Sequence, residues 1–202
     1  MLFRSDGIIK AANPWLQWSD QRLRDAIASA QVPRAFNVCT MGCPKCGKAI
    51  YEKGGTYPWI IDLDRPFKVK CPICGSVFPD NDFEAYYRSG SKDKQYLEGE
   101  YADDGWGWHG PNDRYWFVAY ANHWTWLNHL QPALDNLGKA YVITSDPRYA
   151  HKAVIMLDRV AEVYPAMDYH NQSRYGFLEG QRGGHYGRSE EHTSELQSHH
   201  PI

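Results

Sequence analysis

Apolar and polar positions change their rhythm twice along the chain. Near the start, Leu23, Ala26, Ile27 and Ala30 recur at helical spacing behind Ser19-Asp20, a pair suited to capping a helix start. Asn13-Pro14 carries a second start signal, and Pro33 ends the run, so one short amphipathic helix is expected here. Residues 36–90 lose that period. Glycines and prolines cluster there, β-prone runs such as Tyr57–Leu63 and Phe67–Lys70 are short, and all five cysteines fall in this stretch. Residues 91–111 read as a polar, Gly-rich bridge containing Asp103-Asp104-Gly105-Trp106-Gly107-Trp108.

From Arg114 the pattern turns helical. Arg114 to Leu130 is aromatic on nearly every side, as in a helix packed all round. Pro132 opens a second helix with Ala133, Leu134, Leu137, Ala140 and Tyr141 on one stripe, stopping at Thr144-Ser145. Asp146 caps a third, with Pro147 at its first position and a stripe of Ala150, Ala153, Val154, Leu157, Val160, Ala161 and Tyr164. Pro165 ends it, and the short break between the two predicts an antiparallel hairpin. Residues 165–187 read as a long loop. Stacked hairpins need at least about three units to close a core, so one hairpin and one preceding helix predict an incomplete architecture.

Composition narrows the classes. The chain has 202 residues, 43% of them hydrophobic and 23% charged, a globular balance. A formal charge of −2 argues against a generally basic nucleic-acid binder. Apolar runs stay below the ~18–20 residues of a membrane helix, and Met1 to Ala12 holds no apolar core of a signal peptide. Residues 188–202 are polar, and Arg188 to Ser198 resembles the translation of a sequencing adapter. They are therefore read as a non-native tail, and setting them aside leaves 21 basic and 21 acidic residues. His192, His199 and His200 then carry no metal-binding significance.

The strongest chemical signal is a repeated one. Cys43-Pro44-Lys45-Cys46-Gly47 and Cys71-Pro72-Ile73-Cys74-Gly75 are two copies of one knuckle, 24 residues apart. Four thiolates in two reversed turns suit tetrahedral Zn²⁺, so Cys43, Cys46, Cys71 and Cys74 are expected to ligate a structural zinc ion in a zinc ribbon. Redox Cys-x-x-Cys motifs rarely come in matched pairs, and a disulfide framework would leave one cysteine over. That cysteine, Cys39, reads as a spare thiol.

Aromatic residues are 14% of the chain, including 8 Trp and 14 Tyr. Flat rings serve either an aromatic core or a sugar platform. Trp116, Phe117 and Tyr120 read as core. For Trp106 and Trp108, in a Gly-rich loop, the two readings stand level. Asp103-Asp104 reads as a solvated turn, because adjacent carboxylates do not by themselves flank a scissile bond at the ~5–10 Å hydrolysis requires. His123 reads more readily as a satisfied core histidine than as a base, yet it joins the candidate substrate-binding set. His170, Asn171 and Arg174, beside Tyr169 and Tyr175, complete that set with Trp106 and Trp108.

Taken in order, further motifs carry a family resemblance. They are Val32-Pro33-Arg34, the two cysteine knuckles, Phe78-Pro79-Asp80-Asn81-Asp82-Phe83 and Asp104-Gly105-Trp106-Gly107. Leu137 to Tyr141, Thr144, Asp146, Tyr149-Ala150 and Val163-Tyr164-Pro165 follow. From Val32 to Asp168 the series resembles the N-terminal part of heparinase II/III-like polysaccharide lyases. The resemblance implies a mainly α protein, an incomplete (α/α) toroid of helical hairpins preceded by a small β-containing zinc ribbon. It divides the chain into a helical segment (1–35), the ribbon (36–90), a linker (91–111), the toroid start (112–187) and the tail.

The resemblance also implies β-elimination on uronic-acid-containing polysaccharide, an acidic polysaccharide or oligosaccharide as partner, and a periplasmic or secreted setting. In that reaction Asn, His or Arg neutralises the uronate and a Tyr or His removes the C5 proton. No position here matches those groups, so no catalytic residue is assigned, and the fragment is expected to be inactive alone. A non-catalytic zinc-ribbon and helical-repeat binding protein, or a glycoside hydrolase on a toroid, are the alternatives.

Overall fold

The computed structural model describes residues 2–33, 41–111 and 113–166. The chain is mainly helical. In order it forms α1 (Leu2–Leu16), α2 (Asp20–Ala26), α3 (Ile50–Gly54), β1 (Ile60–Ile61), β2 (Val69–Lys70), β3 (Val77–Phe78) and α4 (Phe83–Arg88). A 3₁₀ turn (Lys94–Leu97), β4 (Trp108–His109), β5 (Arg114–Tyr115) and α5 (Phe117–Thr125) follow. A π-helical segment (Trp126–Leu130) leads into α6 (Gln131–Thr144), then come α7 (Pro147–Val163) and a 3₁₀ turn (Tyr164–Ala166). No described helix is long and apolar enough to cross a membrane.

Two compact units emerge. The first, within the described residues, gathers 2–32 and 124–166. Its core is where α1, α2, α6 and α7 meet: Ala12, Leu23, Leu130, Leu137, Ala140 and Met156 are fully buried. Ser19 caps α2 by accepting from the Arg22 amide at 3.1 Å, as its short hydroxyl side chain predicts. Asp146 does the same for α7 through the Arg148 amide at 2.9 Å, with Pro147 where a missing N–H costs nothing. Only Ser145 and Asp146 separate α6 from α7, so the two helices pack as the expected hairpin. Polar ties hold its flank. Lys152 Nζ donates to the Trp18 carbonyl and to Asp20, both at 2.7 Å, Arg159 donates to the Ile27 carbonyl, and the Tyr149 hydroxyl donates to Asn13 at 2.6 Å.

Several expectations shift in this unit. Asn13-Pro14 lies in the last turn of α1 rather than starting a helix. A proline there leaves the Lys10 carbonyl without its helical donor, and the helix ends two residues later. The expected stripe of α7 is rotated by one residue. Tyr149, Ala153, Met156 and Val163 are buried, whereas Val154, Leu157 and Tyr164 lie outside. On α6, Ala133, Leu137 and Ala140 are buried as expected and Tyr141 is exposed. Apolar residues cover more than half of each helix surface, so period alone does not choose the packed side. In the π segment the Gln131 amide donates to the Trp126 carbonyl, five residues back, just before Pro132, whose ring nitrogen has no proton to give.

The second unit, described over Pro33–His123, has little regular structure. Its sheet runs β1-β2-β3, antiparallel throughout, with Ile61 opposite Val69 and Val69 opposite Phe78. A ribbon pairs Trp108 with Tyr115. Arg114 and Tyr115 thus extend as a strand where helix was expected, and α5 starts at Phe117. Rings fill the core: Phe78 stacks on Phe117 at 5.0 Å, and Trp59 meets both edge-on at 5.8 and 5.9 Å. Trp116, Phe117 and Tyr120 are buried, the packing role expected of them.

Candidate metal centre

The two cysteine knuckles are built alike. In the first, the amide of Cys43 donates to the Gly47 carbonyl at 3.0 Å and the Gly47 amide returns to Cys43 at 2.8 Å. The second is the turn joining β2 to β3. There Cys71 donates to the Ser76 carbonyl at 2.8 Å, and Gly75 donates to Cys71 at 3.0 Å. Both turns close through a glycine in the left-handed region, Gly47 at φ 62° and Gly75 at φ 72°, where a side chain would be strained. Each reversal points two sulfurs the same way.

The four sulfurs converge. Cys43, Cys46, Cys71 and Cys74 place their Sγ atoms within 4.8 Å of one another and could hold a metal ion. Cys43 and Cys74 are 3.8 Å apart, Cys46 and Cys71 3.5 Å. Four sulfurs at ~2.3 Å from a tetrahedral ion would stand about 3.8 Å from each other, so the spacing fits. The thiols differ in their electrostatics. Burial pushes the Cys43 thiol up to about 11. Burial, then the crowding thiols of Cys71 and Cys43, push Cys46 up as well. At Cys74, burial acts upward too, but hydrogen bonds with Ser76, Cys71 and Cys43 outweigh it and bring the thiol down to about 6. Soft thiolates suit zinc-like ions, and four of them could fill a tetrahedral site. Cys39 lies outside the described residues.

Behind the knuckles stands a polar framework. Lys45 of the first knuckle sits 5.7 Å from the Tyr101 ring and 6.0 Å from Phe78. After Phe78-Pro79, three successive side chains each fasten a different segment. Asp80 accepts from the amides of Glu100 and Tyr101 at 3.0 and 2.9 Å. Asn81 donates to the carbonyls of Tyr96 and Asp103 and accepts from the Asp103 amide. Asp82 caps α4 through Ala85. Lys68 ties the run down by donating to the carbonyls of Pro79 and Asn81 at 2.9 and 2.8 Å.

Asp103 corrects the solvated-turn reading. Asp104 is exposed, but Asp103 is fully buried. Its Oδ1 accepts from Gly105 at 2.7 Å and Gly107 at 2.9 Å, and its Oδ2 from Val118 in the first turn of α5 at 3.1 Å. Burial pushes its carboxyl up to about 6 against the pull of these three amides, and Asp104 adds to the rise. The carboxylate thus pins the Trp106 loop to a helix start. An Asp two residues before a glycine is an Asx-turn signal, and that cue, read alone, pointed only to a turn.

Of the candidate substrate residues, Trp106 and Trp108 are both half-buried around this turn. Trp108 packs its ring on Tyr101 and Tyr115 at 5.0 and 5.1 Å. His123 is half-buried in the last turn of α5, the end away from Asp103. His170, Asn171 and Arg174 lie outside the described residues. Compared with known proteins, the chain matches no family model, no curated protein and no solved structure.

Proposed function

We propose that Cys43, Cys46, Cys71 and Cys74 hold one structural zinc ion, making residues 36–90 a zinc ribbon. The observation that carries this is the convergence of four thiols from two matched turns at tetrahedral sulfur spacing. When bound, zinc supplies a cross-link between the knuckles and no reaction of its own. Residues 43–47 and 71–76 shape the cage, and Lys45 and the Tyr101–Phe78 rings connect it to the aromatic core. Metal analysis of the purified chain tests the reading. About one zinc per chain is expected, and protein free of metal with four reactive thiols in the knuckles would overturn it.

Around that centre, we infer the N-terminal part of a heparinase II/III-like lyase, with residues 112–187 beginning an (α/α) toroid. Its substrate would be a uronic-acid-containing polysaccharide cleaved by β-elimination. The ordered motif series supports this, and the α6–α7 hairpin is compatible with it. Asp80, Asn81 and Asp82 of that series brace the backbone, so the chemistry would come from other groups. The test is to extend the reading frame and assay uronate polymers for unsaturated product. Its appearance supports the lyase, saturated products point to a glycoside hydrolase, and silence across a broad panel contradicts enzyme readings. The exposed apolar side of α6 and α7, with Val142 at 80% and Val154 at 59% exposure, favours as second reading a non-catalytic helical-repeat binding protein. That protein would bind partners without forming product.

A further inference from the structure

The four thiols are not equivalent in access. Cys43 and Cys71 are buried, Cys46 is half-buried, and Cys74 is exposed at the tip of the β2–β3 turn. Two close sulfur pairs also link the knuckles. The short sulfur pairs, Cys43 with Cys74 and Cys46 with Cys71, both cross from one turn to the other. Thiol oxidation follows exposure, and a nearby thiol resolves the product as a disulfide.

We propose that this centre is a reversible redox device in which a peroxide enters at Cys74 and replaces the metal cross-link by cross-knuckle disulfides. The proposal rests on the structural-zinc reading above. The Cys74 sulfur attacks one oxygen of the peroxide, the O–O bond breaks, and a sulfenic acid and hydroxide form. The Cys43 sulfur then attacks Cys74, an S–S bond forms, and a second hydroxide leaves. Two protons convert the hydroxides to water, so two thiolates are oxidised by two electrons and one peroxide is reduced. The disulfide offers no thiolate ligand, and the ion is lost. Cys46 and Cys71, left 3.5 Å apart, close the second bridge with a further peroxide.

Because the bridges join the same two turns as the metal, the oxidised ribbon stays closed where a bridge within one knuckle would leave the two turns unlinked. Hydrogen peroxide, added stepwise to the zinc-loaded chain and to its Cys39→Ser variant, tests this. Zinc release is followed with a chromogenic chelator and disulfides by peptide mapping without reduction. About one zinc is expected to appear per two thiols lost, with Cys43–Cys74 the first bridge and Cys46–Cys71 the second. Dithiol reductant plus zinc is expected to restore the starting state.

A first bridge of Cys43–Cys46 or Cys71–Cys74, a bridge to Cys39, or zinc retained after those thiols oxidise would overturn the proposal. Should the chain purify without metal, the zinc reading fails by itself. The bridging order in the reduced, metal-free chain then decides the redox inference separately, with Cys43–Cys74 first supporting it and a bridge within one knuckle overturning it.

Discussion

In the helical unit, Leu23, Leu137 and Met156 are completely buried, on helices of 7, 14 and 17 residues. In the unit spanning Pro33–His123 the strands are two residues each, and a buried carboxylate, a run of bracing polar side chains and four thiols stand beside the aromatic core. Burial of apolar area is tolerant, since many side chains of similar volume satisfy it. Polar fastening is not, because each buried donor or acceptor that loses its partner costs its full desolvation. The two units should therefore fail differently.

The sharpest way to separate them is to strip the proposed zinc ion. Apparent binding free energies of structural zinc reach ~10–16 kcal/mol in small domains, and much of that is folding free energy. Chelation is expected to abolish the near-UV signal of the Trp59–Phe78–Phe117 core while α1, α2, α6 and α7 keep most of the far-UV helix signal. Simultaneous loss of both signals would show that the units do not differ as described.

Cutting into the helical core comes next. Leu137→Ala or Met156→Ala removes a fully buried side chain and should cost about 2–5 kcal/mol by chemical denaturation. Zinc content should stay unchanged, and a variant that also loses zinc would tie the centre to the helices.

Asp103→Asn addresses the polar framework directly. An amide keeps one acceptor but turns an N–H toward backbone donors, so a loss of about 1–3 kcal/mol is expected. Its pH dependence has a definite sign. The folded carboxyl sits at about 6, above the ordinary value of 3.8, so the native state binds this proton more tightly. The associated stability is complete below about pH 4 and is lost as pH rises through about 6, by up to about 3 kcal/mol. The difference between wild type and Asp103→Asn should change sign or shrink over that window. A flat difference would refute a buried, titrating Asp103.

The smallest effect belongs to the flank of α2. Asp20 pairs with Lys152 and His151 at 2.7 Å, and these partners, Lys152 first, hold its carboxyl below the usual range. Its contribution is present above that range and fades as pH falls through it. Because the pair is solvent-screened, Asp20→Asn should lower the thermal midpoint only slightly, and salt should erase the difference.

What could be read from the residues follows the same division. Asp146, Pro147 and the Leu137–Ala140 spacing announced α6 and α7 to within a residue, because caps and period are local signals. The rotated face of α7 escaped, since choosing between Leu157 and Met156 needs the partner helices. In the other unit the knuckles were legible because ligand spacing is itself local chemistry. The burial of Asp103 is not legible locally, because it depends on Asn81 and Val118, 22 and 15 residues away in sequence. Strands of two residues, such as Arg114–Tyr115, are too short for any period to show.

X-ray absorption at the zinc edge of the purified, reduced chain addresses the metal centre most directly. Four sulfur neighbours at about 2.3 Å and no lighter ligand are the predicted result. A shell containing nitrogen or oxygen, or protein that binds no zinc while all four thiols remain reduced, would contradict it.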